Sequence, residues 1–275
     1  MLWKIEFSYN KIEFYRFDIK TGKVYPCIMD EIIKDFKKDF YRIRDLGYIK
    51  AINNDNSGIG LTFEHLIGKQ VDNYPLPDYK NTIEIKTKLA YSKRPIHLFT
   101  LSPEGENFCE AKKLLNKYGY YSRNNIFFKK FNGTVYANTL NNIGWNNYFS
   151  LSVNYKEEKI VLLIYDKNKQ LIDDSTFWSF PAIENALIRK LKYLALIQVW
   201  STKRKNIKYY KYYKYNIYKL SNIITFIRLI EEGIISITFS IGVINDKKRF
   251  GQMHNHGTTF DINKENLERL FFLIE

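Results

Sequence analysis

The stretch "PLPDYKNTIEIKTK", Pro75 to Lys88, places Asp78 in a proline-flanked turn, then Glu84 and Lys86 two residues apart in a run with β-branched neighbours. Side chains two apart on a strand share a face, so Glu84 and Lys86 should project together while Ile83 and Ile85 point into the core. Asp78 should bend back toward the start of that strand. Two hard oxygen ligands and an ammonium would then surround one small volume. Mg²⁺ prefers such ligands and keeps several waters. A metal there can activate water and neutralise a phosphate in transfer, and Lys86 can hold the attacking water and stabilise growing negative charge. Alone, an E-x-K after an aspartate is a weak motif; an ordinary solvated Glu/Lys pair gives the same letters. The apolar neighbours of Glu84 suit a central strand, where charge needs a reason. Upstream, "NNDNSGIGLTFEHLIGK" gives a glycine-containing loop and a helix bearing Glu64. That carboxylate could orient a water or help hold a second ion; the plain alternative is a helix acid favoured by the dipole.

The 275 residues, 45% hydrophobic, suffice for one large domain or two lobes sharing a core. No apolar run is long enough to span a bilayer, and "MLWKIEFSYNKIEF" lacks the apolar centre of a signal peptide, so a cytoplasmic location is expected. Cys27 and Cys109 stand far apart and outside any C-x-x-C pattern, which suggests reduced thiols rather than zinc or a disulfide framework. The net charge of +14 favours polyanionic partners, although an AT-rich genome would also inflate Lys, Asn, Ile and Tyr.

Residues 2–26 alternate apolar and polar, with turn candidates at Asn10-Lys11 and Thr21-Gly22, and read as short antiparallel strands. Ile32, Ile33, Phe36, Phe40 and Ile43 fall at helical spacing over Met29 to Asp45, with Gly47 at the left-handed stop. "LTFEHLIG" reads as a short helix closed by Gly68, "TIEIKTKLAY" and "HLFTLSP" as strands, and 107–119 as a helix. Residues 121–182 read as a β-rich insertion between segments 26–120 and 183–275. "IENALIRKLKYLALIQVW", 183–200, reads as the clearest long helix; a strand (207–220), a helix (222–232), a strand (234–243), the strand "TTFDI" and a final helix complete the chain. The fold class expected is α/β (α+β), a mixed sheet flanked by helices.

With these elements in place, "LGYIKAINNDNSGIGLTFEHLIGKQVDNYPLPDYKNTIEIKTKLAYSKRPIHLFTLSP" resembles the catalytic segment of the MvaI/BcnI restriction endonuclease family, and "HNHGTTFDINKENLERLF" is similar to that family's H-G-T-x-F-R-I segment and closing helix. The mismatch-repair nickase MutH shares the wider arrangement more distantly. The resemblance implies a restriction-endonuclease-like PD-(D/E)xK fold and hydrolysis of double-stranded DNA with Mg²⁺, for which Mn²⁺ can substitute. It also implies a short, nearly palindromic site, hinting at the CC-N-GG kind with a histidine sensing the central pair. A monomer that clasps the duplex and nicks its strands in succession would go with it, as would a cognate DNA methyltransferase as genetic partner. By position, Asp78, Glu84, Lys86 and Glu64 take catalytic roles; Asp78, Glu84 and the Ile85 carbonyl take the metal. Phe63 and Ile85 stand where leucine is usual and look like core swaps. Asp261 stands where arginine is common, which puts one DNA contact in doubt. The alternatives are a partner- or methylation-controlled nickase and a non-cleaving duplex-binding protein.

For reading DNA, "KKRFGQMHNHGTTFDI" gathers Arg249, His254, Asn255, His256 and Thr258, groups suited to phosphates and base edges. Arg94 and His97 in "KRPIHLFT" are candidates beside the catalytic strand. The tract 203–219 interleaves cations with tyrosines, which can track single strands through stacking and charge; β-propensity explains it more simply, as a strand with one solvated face.

Overall fold

The computed structural model describes residues 2–8, 11–18, 23–26, 28–69, 76–105, 109–122, 125–144, 146–244 and 251–275. In chain order come β1 (Leu2–Ser8), β2 (Lys11–Asp18), β3 (Lys23–Pro26), α1 (Ile28–Asp45), β4 (Ile49–Lys50), α2 (Gly58–Leu66), β5 (Glu84–Leu89), β6 (Ile96–Thr100) and α3 (Glu110–Tyr118). The middle of the chain is β7 (Tyr120–Ser122), β8 (Asn125–Val135), β9 (Asn141–Ile143), β10 (Asn147–Asn154), β11 (Lys159–Tyr165) and β12 (Leu171–Ser179). Then follow α4 (Phe180–Leu191), β13 (Tyr193–Arg204), β14 (Ile207–Leu220), α5 (Ile223–Glu231), β15 (Ile235–Val243), β16 (Met253–Ile262), α6 (Leu267–Leu270) and β17 (Phe271–Leu273). The fold is mixed α+β, as the sequence led us to expect. No described helix is long and apolar enough to cross a membrane.

The sheet that carries the opening stretch has the order β17-β14-β13-β5, with β4 also pairing β14. Its β5 and β13 run parallel, Glu84 opposite Leu194 and Lys86 opposite Leu196. A second sheet has the order β6-β16-β15-β8-β7, a third β12-β11-β10-β9, and β1-β2-β3 pair among themselves. The turns expected at Asn10-Lys11 and Thr21-Gly22 include residues outside the described set.

The long helix expected over 183–200 is corrected: α4 ends at Leu191 and β13 begins at Tyr193. Ile183, Ala186, Leu187 and Leu191 keep helical spacing on one buried face. From Leu194 to Ile197 every residue is buried, Leu194 and Leu196 in one core, Ala195 and Ile197 in another. A strand buried on both faces has no polar alternation, so periodicity alone cannot tell it from a buried helix. The final helix is short, since Phe271 leaves it to pair with Leu220 as β17.

Two apolar cores result. One packs α1 and α2 on the first sheet; Phe40 lies 4.6 Å from the Tyr215 ring, and Phe63, fully buried, 5.0 Å from Tyr212. The other joins α3, α4 and α5 to the second and third sheets and includes Leu194 and Leu196 from β13. The first sheet therefore has one face in each core, which decides where its charged residues point. Gly47 ends α1 at φ +72, as its place in the sequence suggests. Gly257, at φ +99, lies so near Thr100 that a Cβ would come within 2.3 Å of its methyl, which lets β16 close on β6.

Asn222 caps α5 by accepting the Thr225 N–H at 2.8 Å. Asn222→Ala is expected to cost about 1 kcal/mol. In a chain of this size that lowers the melting temperature by about 2–4 °C, measurable by thermal unfolding.

Candidate active site

A tight turn builds the start of β5. The Tyr79 N–H donates to the Ile83 carbonyl (2.9 Å), the Ile83 N–H donates to the Tyr79 carbonyl (3.1 Å), and Lys80 and Asn81 between them have φ of 49° and 53°. This turn brings Asp78 back over the strand, where its Oδ2 accepts the Ile85 N–H at 3.0 Å. Its other oxygen pairs with Lys69. Ile83 and Ile85 are buried in the core beneath, so Glu84 and Lys86 share the opposite face, as the alternation requires.

Glu84 is only 2% exposed. Its Oε1 accepts the Lys86 ammonium at 2.8 Å, while Oε2 has no hydrogen-bond partner and lies 3.4 Å from the Lys190 ammonium of α4. Burial, and then the charge of Asp78, push the Glu84 carboxyl above its ordinary value, against the pull of Lys86 and Lys190. Glu64, on the α2 helix, is pushed up in the same way by burial and by Asp78, with Glu84 adding to it. The charges of Asp78 and Glu84 thus both act on the Glu64 carboxyl, with Lys69 and Lys86 opposing them. Repulsion among such groups is what a cation relieves.

No three His, Cys, Asp or Glu residues converge as a metal cluster among the described residues. The available donors are Asp78, Glu84 and main-chain oxygen, so a hard cation here would keep waters as its remaining ligands, as Mg²⁺ does. The buried Oε2 of Glu84, which has no hydrogen bond and faces only the Lys190 ammonium at 3.4 Å, fits that role.

His97 lies on β6, opposite Asp261 of β16. The two side chains meet at 2.5 Å between Nδ1 and Oδ1, and Thr259 Oγ1 donates to the other Asp261 oxygen at 3.3 Å. Asp261 is 1% exposed, whereas the His97 side chain is 64% exposed. The hydrogen bond to Asp261 raises the His97 pKa, opposed by desolvation and by the charges of Lys86 and Lys88.

The structure thus brings Asp78, Glu84 and Lys86 together at the start of β5, with Glu64 on the α2 helix that packs on this strand, and sets His97 against Asp261 on the neighbouring sheet. Arg94 is exposed in the loop between β5 and β6, and its carbonyl accepts the Lys88 ammonium. His254 and Asn255 are half-buried on β16, where Asn255 Oδ1 accepts the Gly257 N–H at 2.9 Å. Arg249 and the side chain of His256 lie outside the described residues. Thr258 corrects an expectation: its side chain is fully buried, so it faces the core and not a DNA surface. Strand alternation explains this, because Phe239, its buried ladder partner on β15, is in the core. Lys69, Lys190 and the supporting role of Asp261 were not singled out from the sequence. In a chain with 43 Lys and Arg, nothing local marks the two lysines that reach the site.

Over residues 37–271 the chain matches the model of the MvaI/BcnI restriction endonuclease family. The chain belongs to this family. The match spans Glu64, Asp78, Glu84, Lys86, His97 and Asp261, and leaves β1 to β3 outside. No curated protein matches. Among solved structures, the chain is similar to the restriction endonuclease MvaI in complex with its cognate DNA substrate. The identity is 33%, over 89% of this chain and 98% of that one, with a TM-score of 0.81. It is also similar to MvaI in the absence of DNA, at 32% identity over 89% and 97% of the two chains, with a TM-score of 0.57.

Proposed function

We propose that this family member is a Mg²⁺-dependent type II restriction endonuclease that hydrolyses phosphodiester bonds at a short, near-palindromic duplex site. The observation that carries the reading is the buried Glu84 carboxylate, one oxygen hydrogen-bonded to Lys86 and the other without a hydrogen bond and facing only the Lys190 charge, within the field of Asp78. Family membership and the likeness to a DNA-bound endonuclease support it. Asp78, Glu84 and the Ile85 carbonyl would hold Mg²⁺ or Mn²⁺, which supplies charge neutralisation at the phosphate and acidifies water. Glu84 fixes Lys86, whose ammonium positions the attacking water and meets the charge that grows on the phosphoryl oxygens. Glu64 tunes that site from α2. The two cores act as two lobes of one nuclease chain, the strands of 121–182 belonging to the second. A cognate DNA methyltransferase would protect host sites.

With one such site per chain, a monomer should cut the strands in two events. Incubation of the protein with unmethylated supercoiled plasmid and Mg²⁺ should give nicked circle before linear DNA, with sequenced ends at one recurrent site. A stable dimer in sedimentation, together with concerted two-strand breaks in single turnover, would overturn the monomer reading. Absence of any cutting would overturn the nuclease reading.

Recognition is assigned to His97, Arg94, Arg249, His254, Asn255 and His256, of which His97 is the best supported by geometry. Asp261 holds Nδ1 and leaves Nε2 to donate to DNA. A raised pKa means that the charged ring persists above the ordinary value of 6.5 and is lost as pH rises through the folded value. Duplex affinity should therefore fall through a transition lying above pH 6.5. Asp261→Asn should move its midpoint toward that ordinary value, and His97→Ala should remove it. Binding isotherms across pH test this; an unmoved midpoint in Asp261→Asn would refute the pairing.

A further inference from the structure

The catalytic face of the first sheet is only half covered. Leu194 and Leu196 of β13, opposite Glu84 and Lys86, are buried under the second core. By alternation, Gln198 and Trp200 follow them on the same face, while Val199 points to the other side and is fully buried. Yet Gln198 is half-buried and Trp200 is 44% exposed. The covering core stops after Leu196, and the strand continues into the open.

Aromatic rings gather on this open half. Trp200 stacks on Tyr213 of β14, with ring centres 5.4 Å apart and planes at 27°. A bulge in the β13–β14 ladder, where Gln198 pairs with Lys214 and Val199 with Tyr212, leaves Tyr213 as the extra residue and turns it onto this face. The Tyr213 hydroxyl donates to Gln198 Oε1 at 3.0 Å, which fixes the ring. Tyr91, 62% exposed just after β5, lies 6.4 Å from Trp200. Lys211 is the cross-strand partner of Trp200 and so shares its face. An open row of rings is costly to leave in water, and a cation beside it suits an anionic partner.

We propose that Trp200 and Tyr213, flanked by Tyr91 and Lys211, form a platform that seats the sugar–phosphate backbone of duplex DNA on one side of the scissile phosphate. The proposal rests on the nuclease reading of Glu84 and Lys86. Its basis is continuity: the platform is the same sheet face as the catalytic pair. Trp200 stands four strand positions beyond Leu196, the partner of Lys86, roughly 13 Å at about 3.3 Å per residue. That reaches about four base pairs along a duplex rising 3.4 Å per pair. Rings pack on deoxyribose and Lys211 meets a phosphate, so the contact adds affinity without reading bases.

The test uses the full chain in chelator, with mixed-sequence duplexes of 12 and 30 base pairs, and plasmid cleavage in Mg²⁺ measured in parallel. Wild-type protein should bind the longer duplex more tightly, with quenching of tryptophan fluorescence. Trp200→Ala and Tyr91→Ala should each weaken binding to the longer duplex by about fivefold and narrow the difference between lengths. Trp200→Phe keeps a ring, and should keep most of the affinity while losing the quench; a purely structural tryptophan would not separate these. If Trp200→Ala lowers stability, Tyr91→Ala and the Trp200→Phe quench carry the decision. Wild-type affinity in both alanine variants, with the quench intact in Trp200→Phe, overturns the platform even when plasmid is cut. Self-association abolished by Trp200→Ala, with DNA binding unchanged, would assign the face to a second copy and also overturn it. Failure of the wild-type chain to bind DNA at all would strike the nuclease reading itself.

Discussion

Glu84→Gln and Lys86→Ala should each reduce strand cleavage by about 10²–10³-fold or more, while duplex binding stays within about threefold. On the proposed reading the two groups would meet the cation, the water and the scissile phosphate, whereas affinity would come from many phosphate contacts along the duplex. Their effects on stability should have opposite signs. Glu84 is buried, and burial raises its carboxyl above the ordinary 4.5. A carboxyl whose folded value is raised destabilises the folded state once pH exceeds its unfolded value, and that penalty is removed as pH falls. Neutral Gln fills the same space without the charge, so Glu84→Gln should melt at or above the wild-type temperature in chelator. Lys86→Ala removes the 2.8 Å partner of the buried carboxylate and should melt lower. Plasmid cleavage, equilibrium binding and thermal unfolding on the same preparations decide the matter. Either variant cutting at the wild-type rate with Mg²⁺ would sink the assignment.

Asp78→Ala is expected to lose cleavage and fold stability together. Asp78 Oδ2 accepts the Ile85 N–H at 3.0 Å, and the other oxygen pairs with Lys69. Alanine leaves a part-buried N–H without its acceptor, which costs about 1–3 kcal/mol. In a chain of this length each kcal/mol lowers the melting temperature by about 2–4 °C. Asp78→Asn keeps an acceptor of the same shape and removes the charge, so it should recover much of the stability and none of the cleavage. The pair separates the two duties of one carboxylate. Asn cutting like wild type, or Ala melting with wild type, would show that Asp78 does not hold both.

Much of the geometry of the candidate site was legible because it is local. Asp78, Glu84 and Lys86 lie within nine residues, and strand alternation alone puts Glu84 and Lys86 on one face. The segments of β14, α5 and β15 were legible too, since each has one polar side that gives its pattern a period. β13 was not. Buried on both faces, it shows an unbroken apolar run after a true helix, and the helical period of α4 was carried too far. The same strand supplies Leu194 and Leu196 opposite Glu84 and Lys86, so misreading it hid the sheet on which the site stands.

The sequence by itself determined which charged groups share one face at the start of β5 and, through the motifs around it and near Asp261, the family. Tertiary structure decided which distant groups meet. Lys190 reaches Glu84 from α4, 106 positions along the chain, and Asp261 grips His97 across 164. No local spacing encodes such meetings, because they arise from strand pairing and helix packing between segments that are unrelated in sequence. The aspartate that looked like a lost DNA contact is a buried support for an exposed histidine, and only the β6–β16 register makes that visible.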